Sequence, residues 1–220
     1  MLTQSKGATL LFALAAIIVA TLALVVSSRG VFAEEVESTL KGITDPRPAP
    51  AWDIAEWIND NPGRVVSNRG KVIVIDFFQL WCPGCNTFTG PLMQQWQDRF
   101  SDEIASGDLL LVKIHTVFEG HDYQTVQRLK SYLEENGITM PVGVDRHYGD
   151  DHLPETKKRY QTRGTPEVVM IDRKGMIRFQ RFGWFDPDKA EKYIDSLLGG
   201  AVSPKRLKPV EVCLASDLCG

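Results

Sequence analysis

KVIVIDFFQLWCPGC, residues 71 to 85, runs from a lysine through an apolar stretch into two cysteines separated by two residues. Val72 to Phe78 is β-branched or aromatic at every position but Asp76, the composition of a strand buried on both faces. After the cysteines, Phe88, Leu92, Trp96 and Phe100 recur every four residues, which places them on one face of a helix. The cysteine pair therefore falls at a strand-to-helix junction.

Two cysteines so spaced can hold a metal, form a structural bridge or pass electrons. A zinc ribbon needs a second Cys-x-x-Cys, and the other cysteines, Cys213 and Cys219, have the wrong spacing and lie far down the chain. A metal is therefore not expected at the pair. A structural bridge between Cys82 and Cys85 would close a very small loop and constrain the unfolded chain little. Thiol exchange needs this placement. A thiolate at a helix N-terminus faces unpaired N–H groups and the positive end of the macrodipole, which favours the nucleophilic form. Cys82 is predicted there, and Cys85, one turn further in, is placed to attack the mixed disulfide; run backwards, the pair oxidises dithiols. Pro83 removes a donor where helices tolerate the loss.

The rest of the chain alternates strands and helices. Residues 108 to 118 read as a second buried strand, 123 to 137 as a helix closed by Gly137, and 141 to 145 as a third strand. Residues 165 to 172 and 176 to 183 read as two strands joined by a tight turn, followed by a helix opened by Asp186 and Pro187 and closed by Gly199. The order is β-α-β-α-β, then β-β-α, within an α/β class.

VIDFFQLWCPGC (74 to 85), RGTPEVVMID (163 to 172) and an apolar amino-terminal segment together resemble the thioredoxin superfamily, and within it the TlpA/ResA-like exported thiol-disulfide oxidoreductases. The resemblance covers about residues 50 to 198. It implies a thioredoxin-like fold, a central mixed sheet flanked by helices, with a helix-strand insertion supplied by Tyr123 to Asp145. It implies that Asp76, six positions before Cys82, passes a proton to or from Cys85. It implies a cis bond at Thr165-Pro166, with Thr165 and Pro166, Trp81 and Pro83 forming the substrate surface. Two departures stand out. The helix proline is Pro91, nine residues after Cys82 where relatives have eight. Glu167 follows the cis-proline candidate; facing Cys82 it would disfavour the thiolate, and strand alternation would send it to solvent instead.

At the front, Ala8 to Val26 is 19 residues without charge, proline or glycine. At about 1.5 Å per residue it reaches most of the way across a ~30 Å hydrocarbon core, so it is either an uncleaved anchor or a signal segment cleaved after Ala33 in VFA. Residues 1 to 33 are thus expected to export the chain to the periplasm or another extracytoplasmic space. An acidic, proline-rich linker follows at 34 to 49, then the domain at 50 to 198, then a tail at 199 to 220. In that tail Cys213 and Cys219 are expected to form a second disulfide, with an electron relay to Cys82 and Cys85 as the alternative.

The expected activity is thiol-disulfide oxidoreduction on protein substrates, as a reductant by resemblance, in cytochrome c maturation for example. The resemblance also implies a membrane disulfide reductase as electron donor, and no organic cofactor is required. A net charge of −3 gives no broad basic field, so nucleic acid is not an expected partner. The rivals are a peroxidase-like redoxin, a copper or other metal chaperone, and a redox-inactive binding module. WCPGC lacks the threonine-containing peroxidatic motif. The spacing of His115, His121, His147 and His152 gives no compact ligand motif.

Overall fold

The computed structural model describes residues 46 to 199. The apolar segment at 8 to 26, Ala33, Cys213 and Cys219 lie outside the described residues. Among the described residues no helix is long and apolar enough to cross a membrane.

Seven strands form one mixed sheet: β1 (Arg47–Pro48), β2 (Ile54–Ile58), β3 (Val72–Phe78), β4 (Leu109–His115), β5 (Val142–Asp145), β6 (Glu167–Ile171) and β7 (Met176–Phe182). Their order is β1-β7-β6-β3-β4-β5-β2. β3 and β4 are parallel, as are β4 and β5, whereas β6 runs antiparallel to β3 and to β7. All seven residues of β3 are buried, as its near-continuous apolar run requires of a central strand. Arg47 and Pro48, which the sequence reading assigns to the linker, pair with Ile177 and Met176 at the sheet edge.

The helices are α1 (Gly90–Arg99), α2 (Ser101–Ala105), α3 (Val126–Glu135), α4 (Glu155–Tyr160) and α5 (Pro187–Leu198). Leu92, Trp96 and Phe100 are fully buried and Phe88 nearly so, so the face read from the four-residue spacing is the packed one. Each such side chain contributes roughly 1.5 to 3 kcal/mol through burial. Thr125 caps α3 by accepting from the Arg128 N–H, and Asp186 caps α5 by accepting from Asp188 and Lys189. Gly199 ends α5 at φ 78°, a conformation that favours glycine. On the opposite sheet face Ile73, Ile75, Phe77, Ile114, Val169 and Tyr160 form one apolar cluster.

Sequence reading missed β2 and α4, which are short. The amino end of α4 is held by a buried carboxylate: Asp145 accepts from the N–H groups of Thr156 (2.7 Å) and Lys157 (3.0 Å).

Between β3 and α1 the helix opens at Pro83 and passes through a π-helical turn at Cys85–Thr89, in which the Gly90 N–H bonds to the Cys85 carbonyl. A π turn holds one residue more than an α turn. This accounts for the ninth residue between Cys82 and Pro91: the extra residue is absorbed in the wide turn, and Pro91 still enters the first turn of α1. A Cβ on Gly90 would lie 2.6 Å from the Cys85 carbonyl oxygen. Gly90→Ala is therefore expected to destabilise the protein by about 1 to 3 kcal/mol, the scale of an overpacked site. In an ordinary helix the same change stabilises by about 0.4 to 1 kcal/mol; a rise in the urea midpoint would refute the role of the π turn.

Candidate active site

Cys82 and Cys85 are bridged, with Cα atoms 5.2 Å apart. Cys82 retains 6% of its surface and Cys85 only 1%, so the first cysteine is the less enclosed of the two. The Cys85 N–H lies 3.1 Å from the Cys82 sulfur, a donor already in place for a thiolate at that position. Pro83 is exposed beside it.

The Thr165-Pro166 bond is cis. A Cβ on Gly84 would lie 3.0 Å from the Pro166 ring, so the glycine of CPGC lets the proline loop close on the turn. Thr165 donates its hydroxyl to Gln79 Oε1 at 3.4 Å. Trp81 is 44% exposed and stacks on Tyr123 with ring centres 6.0 Å apart, and the Arg128 guanidinium lies over the Tyr123 ring, 4.3 Å from its centre. Gly120, at φ 61°, lies directly under the indole: a Cβ there would fall 1.9 Å from its ring.

Asp76 is fully buried in β3, and in register across from it on β4 stands Lys113, which pairs with Asp76 Oδ2. The lysine ammonium also sits 4.4 Å over the Phe78 ring. Asp76 Oδ1 has no hydrogen-bond partner among the described residues. The sequence reading took the acid alone. Lys113 was visible as the one cation in LLLVKIH, since an unpaired buried lysine is rarely found.

Glu167 is buried, which removes the solvent alternative. Its carboxylate accepts from the Arg163 N–H (2.7 Å) and from Gln180 Nε2 (2.6 Å).

The reading also missed what holds the peptide before the cysteines. The Leu80 N–H donates to Gln124 Oε1 and its carbonyl accepts from Asn86 Nδ2, both at 2.9 Å. Tyr132 donates to Asn86 Oδ1 at 3.0 Å. His115 Nε2 lies 3.0 Å from the same Gln124 oxygen, so this nitrogen is the donor and Nδ1, buried and without a partner among the described residues, carries the lone pair. The clamp thus draws on β4, the insertion and the π turn, segments no local pattern connects.

No family model matches the chain. A solved thioredoxin-like superfamily protein is 38% identical, covering 71% of this chain and 99% of that one, with a TM-score of 0.64. The chain belongs to the thioredoxin-like superfamily. A thiol-disulfide isomerase from Corynebacterium glutamicum is 35% identical over 70% of this chain and 98% of its own, with a TM-score of 0.62. The thiol:disulfide interchange protein DsbE of Escherichia coli K12 is 26% identical over 74% of this chain and 76% of that protein. The chain spans only 22% of the mycobacterial DipZ proteins, to which it is 29% identical. Two of these relatives, the isomerase and DsbE, are thiol-disulfide exchange proteins by name.

Burial pushes the His115 imidazole down to about 4 against the smaller, opposing effect of its Gln124 bond. The folded value lies below the ordinary 6.5, so the histidine's contribution to stability is complete above pH 6.5 and is lost as pH falls toward 4. The loss amounts to about 2 to 3 kcal/mol. Urea unfolding of the wild type and His115→Gln, compared between pH 7.5 and pH 4.5, should show this slope in the wild type and its removal in the variant; equal slopes would refute it.

Proposed function

We propose that this chain is an extracytoplasmic reductant of protein disulfides. Cys82 is its nucleophile, Cys85 its resolving thiol and Asp76 its proton acceptor, and Trp81, Pro83, Thr165 and Pro166 are its substrate surface. The observation that carries the reading is a cysteine pair in which Cys82 keeps more of its surface than Cys85, following directly on the strand that bears a buried carboxylate with one oxygen unpartnered among the described residues.

In the reduced protein the Cys82 thiolate attacks a substrate sulfur, one substrate thiolate leaves, and a mixed disulfide forms. Cys85 then gives up its proton and attacks the Cys82 sulfur, which closes the bridge and releases the second substrate thiol. Asp76 takes that proton on Oδ1, while Lys113 holds Oδ2 and offsets the cost of a buried carboxylate. The neighbouring surface suits an extended polypeptide, which the Trp81 face and the Thr165-Pro166 loop flank on two sides.

As a reductant the protein needs electrons from elsewhere, and a membrane disulfide reductase is the partner this reading requires. Membrane attachment through residues 8 to 26 and substrates in cytochrome c maturation belong to the same proposal, on the ground of the amino-terminal segment and the TlpA/ResA-like resemblance.

The deciding measurement is the reduction potential of the Cys82/Cys85 pair, with the bridged residues mapped by mass spectrometry. A value near −270 mV, about that of thioredoxin, supports a reductant, and one near −120 mV marks an oxidant. Failure of these two cysteines to cycle at all would remove the oxidoreductase reading.

Cys85→Ser should trap the mixed disulfide, and Cys82→Ser should form none. Removing Asp76 alone would strand the buried Lys113 charge, so the informative variant is Asp76→Asn with Lys113→Met. That double variant is expected to fold and to slow release of the mixed disulfide by about 100-fold. Unchanged release would show that the pair is structural only.

A further inference from the structure

Sequence spacing gives the histidines no common site, but the fold joins two of them. His121 lies in the turn after β4 and His147 in the loop after β5, and their ring centres are 5.3 Å apart with planes at 69°. With a Zn–N bond of about 2.0 Å and about 1.1 Å more to each ring centre, two imidazoles on one tetrahedral ion have centres about 5 Å apart. The observed separation is close to that value, and it also lies in the range of about 4.5 to 7 Å of an edge-to-face ring pair.

The state of His147 points the same way. Its Nδ1 lies 3.0 Å from the Asp151 carbonyl oxygen, which can only accept, so Nδ1 bears the proton and Nε2 the lone pair. That Nε2 is buried and has no hydrogen-bond partner among the described residues. Donation of one ring N–H to a backbone carbonyl, leaving the other nitrogen basic and oriented, is how metal-binding histidines are held.

Both carriers are fixed. The Arg146 N–H bonds to the Asp53 carbonyl at 3.0 Å, and the Arg146 carbonyl accepts from Glu155 at 2.8 Å. The Asp151 side chain accepts from the Leu153 N–H (2.9 Å) and from Lys158 Nζ (2.7 Å). The turn bearing His121 is closed by the N–H groups of Tyr123 and Gln124 on the Gly120 carbonyl, at 2.9 and 3.0 Å. The His121 ring itself makes no hydrogen bond among the described residues and is exposed.

We propose that His121 and His147 are the two protein ligands of a site for a divalent late first-row metal ion of the zinc or copper kind. Imidazole donors select these ions over magnesium and calcium. Among the described residues no group of three or more His, Cys, Asp or Glu side chains could hold a metal, so the proposed site rests on the two imidazoles. The site is separate from the cysteine pair and does not depend on thiol exchange. It is nonetheless adjacent: the turn that carries His121 also carries Gly120 and Tyr123, against which Trp81 packs.

The test uses the full chain with the Cys82–Cys85 bridge formed and any remaining thiols alkylated, titrated with Zn2+ by calorimetry and with Cu2+ by electron paramagnetic resonance. One equivalent should bind, and the Cu2+ spectrum should show coupling to imidazole nitrogen. His121→Ala and His147→Ala should each weaken Zn2+ binding by about tenfold or more, and His152→Ala should leave it unchanged. Thermal unfolding confirms that each variant is folded; His121 is exposed, so its variant tests the site even if His147→Ala unfolds. Absence of saturable binding, binding that survives loss of His121, or equal loss in His152→Ala would overturn the proposal.

Discussion

The register of β3 against β4 is the constraint on which the site depends, and the Asp76–Lys113 pair enforces it. Both residues are buried in the middle of apolar strands, directly across from each other. A shift of one residue would turn the two side chains to opposite faces of the sheet and leave two uncompensated charges in the interior. Removing one partner of such a pair costs about 3 to 5 kcal/mol, and a slip removes both. Apolar strands of this composition would otherwise tolerate several alignments, because every other position but the terminal His115 is hydrophobic. The charges select one. That alignment sets where β3 ends, hence where the cysteines leave the sheet.

From the end of β3, backbone hydrogen bonding carries the order outward. Leu80 follows the last strand residue by two positions, where neither sheet nor helix can satisfy its peptide groups, and a buried orphan there would cost about 1 to 3 kcal/mol. Gln124 and Asn86 take both groups. The turn that presents Trp81 and Cys82 is thereby tied to the insertion on one side and to the π turn on the other. The π turn has its own cause in the chain: Pro91 cannot donate, Gly90 admits the close carbonyl, and the additional residue before Pro91 needs a wider turn.

What the sequence made legible follows from this hierarchy. The central strands, the face of α1 and the caps of α5 are local patterns, and each appears where periodicity and capping chemistry put it. Cys82, Cys85, Asp76 and Pro166 were legible because motif spacing and a resemblance located them. Lys113 left a signal, a cation inside an apolar run, but its partner could be assigned only with the register known. Gln124, Asn86 and His115 left none, since a glutamine in a polar segment looks the same whether it faces solvent or holds a buried amide. The pairing of His121 with His147 was hidden for a related reason: the 25 residues between them span a helix and a strand, and only the parallel packing of β4 and β5 returns the chain to the same end of the sheet.

The turn that leads into the insertion is consequently part of the candidate site rather than an appendage to it. Five consecutive residues, Gly120 to Gln124, supply the floor under Trp81, one of the two close histidines, the aromatic partner of the indole and the acceptor for the Leu80 amide. Asp122 is the one residue of the five without such a contact. One segment thus fixes both the shape of the exposed aromatic wall and the peptide preceding Cys82. Under the proposed function, a change in this turn would alter both which polypeptides approach Cys82 and how the cysteine is presented.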